Sequence, residues 1–256
     1  MSPSATMQQS SATIGGTTFG YSGVGVGDLE SLEYTIVVIA LDTSPSVQPF
    51  RKQIEDALKE IVTKCSKLPR ADNLLLRVII FDSSLGEIHG FRELMKINAG
   101  DYTGKVQIRG HSTKLYDAAV SAIASADDYG RRMYKEEDLS ANAIVFVVTD
   151  GLDNDSTCSM HAVKDALDKA RGAKGGADAE EGLESVLSIL IGVNVQNQYI
   201  KDGLEHFRQE AGFDQYESID HIPTLVAFMS KSISSQSQSL GSGGPSQVID
   251  PNSLAI

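Results

Sequence analysis

Tyr34-Thr-Ile-Val-Val-Ile-Ala-Leu41, followed at once by Asp42-Thr-Ser-Pro-Ser46, is the stretch on which the fold turns. Eight residues rich in β-branched side chains, with no charge, suit a strand buried on both faces. Val47, Phe50, Ile54, Leu58, Ile61, Val62 and Cys65 then recur at spacings of three and four, which predicts an amphipathic helix. The same alternation continues outward. Residues 74–81, 143–149 and 186–192 read as further buried strands, and 86–91 and 213–218 as short ones. Residues 114–126, 162–170, 198–211 and 223–232 read as helices. Apolar strands alternating with amphipathic helices predict an α/β fold with a mostly parallel sheet covered on both faces.

The two ends read differently. Residues 1–32 are rich in Ser, Thr and Gly, and 235–256 in Ser, Gln and Gly. Neither has the apolar periodicity that offsets chain-ordering entropy, so both are expected to be flexible tails around a domain at 33–234. Gly23-Val24-Gly25-Val26-Gly27 precedes a strand instead of following one, so it reads as a linker and not a phosphate loop. The charged stretch 127–138 reads as a solvated connection, and 172–185 as an exposed loop.

Charge narrows the function classes. Of 256 residues, 22 are Lys or Arg and 34 are Asp or Glu, a net charge of −12. That balance argues against nucleic-acid binding, which needs a basic footprint. It equally disfavours docking on anionic lipid. Cys65 and Cys158 are too few for a disulfide framework or a zinc site. The first residues lack a basic segment followed by an apolar one, and no apolar stretch approaches the ~20 residues that span a bilayer. The expectation is a soluble, cytoplasmic protein.

Ligands in open α/β sheets sit beyond the carboxyl ends of strands. The loops there carry Asp42, Ser44 and Ser46 after the first strand, and Asp150-Gly-Leu-Asp153-Asn154 after the fourth. Thr113 ends Gly110-His-Ser-Thr113 before the helix at 114. Asp42, Ser44, Ser46, Thr113 and Asp150 together form a candidate site for a hard cation such as Mg2+, which takes six oxygen ligands. With two carboxylates and three neutral hydroxyls, a bound ion keeps its appetite for one more carboxylate from outside. Local readings remain open beside this one. Ser46 and Thr113 also fit as helix N-caps, and Asp150-Gly151 as a turn.

These three segments, Asp42-Thr-Ser-Pro-Ser46, Gly110-His-Ser-Thr113-Lys-Leu-Tyr-Asp-Ala118 and Val148-Thr-Asp150-Gly-Leu-Asp-Asn154, resemble in order the metal-site loops of von Willebrand factor A domains. The likeness runs over residues 33–234. It implies a doubly wound six-stranded sheet with one short antiparallel edge strand. It also implies a metal-ion-dependent adhesion site filled by Mg2+, with Mn2+ or Ca2+ as alternatives. By the same resemblance the protein binds an Asp or Glu of a partner protein and is not an enzyme. The absence of paired cysteines places it nearer the intracellular A domains of bacteria and phages. Those work beside AAA+ ATPases of the MoxR type or in stress-response systems. Two alternatives are a subunit of a large, virion-like assembly and a metal-dependent hydrolase. His111, His161 and Cys158 lie near the loops and read as bystanders. Asp250, alone in an uncharged tail, is a candidate donor to the metal site of a neighbouring copy.

Overall fold

The structure, a computed structural model, describes residues 7–107, 110–172, 182–240 and 247–251. The strands are β1 (Met7–Ile14), β2 (Thr17–Val24), β3 (Glu33–Asp42), β4 (Leu74–Phe81), β5 (Leu85–Glu93), β6 (Ser140–Thr149), β7 (Val186–Val193) and β8 (Gln215–Ile219). The α-helices among the described residues are α1 (Arg51–Cys65), α2 (Leu115–Glu137), α3 (Met160–Ala170), α4 (Gln198–Ala211) and α5 (Ile222–Ser239). The strands form one mixed sheet in the order β1-β2-β5-β4-β3-β6-β7-β8.

The decisive strand, β3, lies inside the sheet and pairs in parallel with β4 on one side and β6 on the other. Alternate residues feed two cores. Ile36, Val38 and Ala40 pack with α2, α3 and α4, and Val37, Ile39 and Leu41 pack with α1 and α5. Both faces of β3 are therefore apolar, which is why its sequence shows no alternation. The order reverses at this strand. From β3 the chain steps outward to β4 and β5, then crosses through α2 to β6 and continues outward to β7 and β8.

Among the described residues the sheet has eight strands, not six, and the difference lies in the segment expected to be a flexible arm. Residues 7–24 form an antiparallel hairpin, β1 and β2, turning at Gly15 and Gly16 with φ of +57° and +83°. Two successive positive φ values are the signature of a two-residue hairpin turn, and glycine takes them without strain. Ala12, Ile14, Tyr21 and Val24 face the core beside α2. The hairpin joins the rest of the sheet at Gly23 and Phe91. Gly23 is therefore part of a strand rather than a linker. A Cβ there would meet the Tyr129 ring at 2.9 Å.

A buried polar network locks this hairpin down. Arg77 interrupts the apolar run of β4 and is 1% exposed. Its Nε donates to Glu87 Oε1 at 2.7 Å and its Nη1 to Ser125 Oγ at 2.9 Å. Glu87 also accepts from Ser22 N at 3.1 Å and from Ser22 Oγ at 2.7 Å. Tyr129 donates to the Val24 carbonyl at 2.8 Å, and Tyr21 to Asp128 at 2.6 Å.

Two further segments differ from expectation. Residues 127–137 continue α2, with Asp127 buried and accepting from Arg131 Nε at 2.8 Å. The helix stops at Asp138, whose φ is +54°. The closing helix runs on to Ser239, because the buried Gln236 donates its side-chain Nε2 to the Ala143 carbonyl and accepts from Asn142 Nδ2 at its backbone carbonyl. Most of the loop expected at 172–185, and the ends of both tails, lie outside the described residues.

Two predictions follow from the hairpin's seat on β5. A Cβ at Gly90 would stand 2.0 Å from the Ser22 carbonyl oxygen, a backbone atom with nowhere to go. Gly90→Ala should cost roughly 1–3 kcal/mol in urea unfolding. It should also expose residues 7–24 to limited proteolysis ahead of the rest. The adjacent His89 is buried, with Nδ1 donating to the Gly90 carbonyl and Nε2 accepting from Tyr102 OH. Burial and Arg92 push its pKa down to about 4, against the Gly90 hydrogen bond, Glu87 and Asp101. A base whose folded pKa is depressed stabilises the fold above its unfolded pKa of about 6.5. That contribution, about 3 kcal/mol at most, is lost as pH falls from about 6.5 to about 4. Unfolding free energies measured at pH 7 and pH 5 should differ by less in His89→Gln than in the parent chain.

Candidate metal centre

Asp42 is the last residue of β3 and is 2% exposed. Burying a lone carboxylate is costly unless donors surround it. Here Ser44 N donates to Oδ1 at 2.7 Å and Thr149 Oγ1, at the end of β6, to Oδ2 at 2.6 Å. The first loop and the neighbouring strand are thus joined through this one side chain. Burial pushes the Asp42 pKa up to about 6, with the two donors pulling down and the Asp150 charge adding to the rise. Burial also raises Asp150, against a hydrogen bond from Ser46. Hydroxyl and amide donors oppose the two rises.

The hydroxyls are not helix caps. Ser44 stands at the start of a short 3-10 turn, Pro45–Phe50, yet its side chain makes no capping hydrogen bond. Ser46 lies inside that turn, and α1 is preceded by Phe50. The N-cap position of α2 belongs to Lys114, not Thr113. Ser44 Oγ instead lies 3.0 Å from Ser46 Oγ, and Ser46 Oγ donates to Asp150 Oδ1 at 2.8 Å. Asp42, Ser44, Ser46 and Asp150 are therefore brought into one oxygen cluster over the ends of β3 and β6.

Thr113 is held beside the third loop by its backbone. Its N–H donates to Asn154 Oδ1 at 2.8 Å, and Asn154 N donates back to the Thr113 carbonyl at 3.1 Å. The second and third loops are laced together further along. Asp117, one turn into α2 and 6% exposed, accepts from the backbone N–H groups of Thr157 and Cys158. Ser156 Oγ accepts from Tyr116 N and Asp117 N and donates to Asp153. Ser112 Oγ donates to Asp155 at 2.7 Å. On the other side, Lys114 N donates to the Asp82 carbonyl at 3.0 Å, tying the second loop to the end of β4. Asp117 and Thr149 stand inside the quoted loop segments without being singled out there, and Asp155 and Ser156 had no signature in the sequence, since each meets a partner some forty residues away in the chain.

Cys158 donates its backbone N–H to Asp117, and burial with that carboxylate pushes its thiol up to about 11. His111 and His161 are exposed, and His161 lies 3.7 Å from Asp165. Asp250 lies near Glu217 of β8, whose pKa is raised by burial and, against a hydrogen bond from Gln215, by the Asp250 charge.

The donor set fits a small hard cation. Adjacent oxygens around an octahedral ion with bonds of 2.0–2.1 Å lie about 2.9 Å apart. The Ser44–Ser46–Asp150 oxygens are spaced at 3.0 and 2.8 Å. Among the described residues no three His, Cys, Asp or Glu side chains converge on one point. A site here rests on two carboxylates with hydroxyls between them.

No protein-family model and no curated protein sequence matches the chain. Solved structures do. The pilus adhesin SpaC of Lactobacillus rhamnosus GG, in its open conformation, matches 90% of this chain and 34% of its own, at 11% identity and a TM-score of 0.54. The PilB minor pilin of Streptococcus sanguinis matches 84% of this chain and 64% of its own, at 13% identity and a TM-score of 0.54. Proximal thread matrix protein 1 of the mussel byssus matches 80% of this chain and 46% of its own, at 16% identity and a TM-score of 0.52. Another structure of that matrix protein has a zinc-occupied MIDAS motif, with a TM-score of 0.51. The chain spans less than two thirds of each of these proteins. The likeness lies in the fold, and the architecture of this chain is similar to that of von Willebrand factor A-like domains.

Proposed function

We propose that this chain is a protein-interaction module whose contact is made through a divalent cation, Mg2+ by preference. Asp42, Ser44, Ser46, Thr113 and Asp150 would hold the ion, and an Asp or Glu of a partner protein would complete its shell. The observation that carries this reading is the uncapped hydroxyl chain from Ser44 through Ser46 to Asp150, set over the buried Asp42. Hydroxyls that do not cap helices, spaced at ligand distances beside two carboxylates whose ionised form burial disfavours, are what a cation would satisfy. The adhesin, pilin and matrix-protein neighbours support an interaction role in general, and the zinc-occupied motif in one of them supports a divalent ion. The reading extends to binding and not to turnover. It names the partner by its carboxylate alone, because no observation favours an AAA+ ATPase over another acidic surface. Among the described residues no helix is long and apolar enough to cross a membrane.

Isothermal titration with MgCl2 tests the site. The parent chain should bind one ion. Asp42→Ala and Asp150→Ala should each weaken binding by more than about tenfold, and Ser46→Ala by roughly tenfold. Equal heats from the parent chain and Asp42→Ala would remove the metal from this edge of the sheet. Partner dependence is a second prediction. A protein captured in MgCl2 should be released by EDTA and should fail to bind Asp150→Ala. Magnesium-dependent hydrolysis of a phosphoester substrate, abolished in the same variants, would replace the binding role with an enzymatic one.

A further inference from the structure

The two edges of the sheet are built differently. The β8 edge is short, five residues, and carries Glu217 with the Asp250 charge beside it. Gln215 Nε2 there donates to the Ile249 carbonyl at 2.6 Å, so the chain's own 247–251 segment lies against that edge. Short length, like charges and a covering segment are what keep an edge strand from pairing with another molecule. The β1 edge has none of them. Its eight residues, Met7-Gln-Gln-Ser-Ser-Ala-Thr-Ile14, hold no charge and no proline. Its pairing with β2 is regular over all eight positions, without a bulge, and no described strand pairs with its other side.

We infer that β1 is a strand-addition edge that pairs antiparallel with β1 of a second copy. Three observations select that occupant. First, the β8 edge is blocked, so edge-to-edge growth of this sheet can run only from β1 to β1, and a two-fold pair closes on itself. Second, the chain carries −12, so copies approach most easily where charge is thinnest. Residues 7–14 are uncharged, and Arg132, its charge matched by Glu136 at 2.9 Å, holds this strand by donating to Ser10 Oγ at 2.7 Å and to Gln8 Oε1 at 3.0 Å. Third, the exposed row of β1 is Gln9, Ser11 and Thr13. Hydroxyls on this face already pair across strands, with Thr13 Oγ1 3.0 Å from Thr18 Oγ1. A two-fold axis perpendicular to the sheet keeps the same face outward in both copies, so it passes at Ser10 or Ser11. Either register sets amides and hydroxyls opposite one another, which is favourable cross-strand chemistry.

Sedimentation of the full chain tests the pairing. The parent protein should run at twice its 27.4 kDa chain mass, and EDTA should not change this, because the metal cluster lies elsewhere. Gln9→Lys/Ser11→Lys places lysine opposite lysine in both registers and should run as a monomer with an unchanged far-UV spectrum. Gln9→Thr/Ser11→Thr should remain a dimer. A monomeric parent chain, a dimer that survives both lysines, or a dimer dissolved by EDTA would each overturn the inference. Should the lysine variant fail to fold, oxidative cross-linking decides, in a Cys158→Ser background. Ser11→Cys alone, or Ser11→Cys mixed with Gln9→Cys, should give a disulfide-linked dimer, and absence of cross-link in both would overturn it.

Discussion

The carboxylate of Asp42 is the point on which the ligand edge depends. It ends an apolar strand in the middle of the sheet, and water does not reach it. Its two oxygens are satisfied by one donor from its own loop and one from β6, Ser44 N and Thr149 Oγ1. An unsatisfied charge here would cost several kcal/mol, so the donors must stay in place for the fold to hold. Their geometry fixes the path of the first loop, and that path places Ser44 and Ser46 next to Asp150. The candidate metal centre is thus a by-product of satisfying one buried acid.

A strand that is apolar on both faces is easy to read, and β3, β4, β6 and β7 announce themselves as β-branched or aliphatic runs, in β4 broken only by Arg77. The cluster was legible too, as oxygen-bearing residues just beyond those runs. What the chain conceals is the hairpin. Ala12, Ile14, Tyr21 and Val24 face inward from β1 and β2, with Phe19 partly buried beside them. Their neighbours are Ser, Thr and Gly, a composition shared with disordered tails. The signal present was Gly15-Gly16 between two alternating stretches, and it is weak because the hairpin borrows its apolar partners from α2. The continuation of α2 through 127–137 was hidden for a related reason. Its charged residues are paired within the helix or across it, as with Arg131 and Asp127, and a charged run reads the same whether solvated or paired.

Arg77 shows how an exception to pattern can carry structure. An arginine inside an apolar strand interrupts the sheet's logic, yet it is nearly inaccessible and lies 5.8 Å from the Phe91 ring and 5.9 Å from that of Tyr21. Glu87 neutralises it and at the same time grips Ser22. The hairpin meets β5 at one backbone pairing position, so this side-chain network and the Tyr129 bond to Val24 supply the attachment that a longer ladder would give. Buried polar networks of this kind favour one docking geometry over others when every member is satisfied.

Helix α2 joins the two regions in a mechanical sense. Its 23 residues make a rod about 35 Å long. One end is laced to the loops of the oxygen cluster through Tyr116 and Asp117, and the far half grips the hairpin through Asp128, Tyr129 and Arg132. No flexible joint interrupts it. The oxygen cluster at the middle of the sheet and the hairpin at its β1 edge therefore share a single rigid beam, and neither can be re-seated without the other feeling it through that beam.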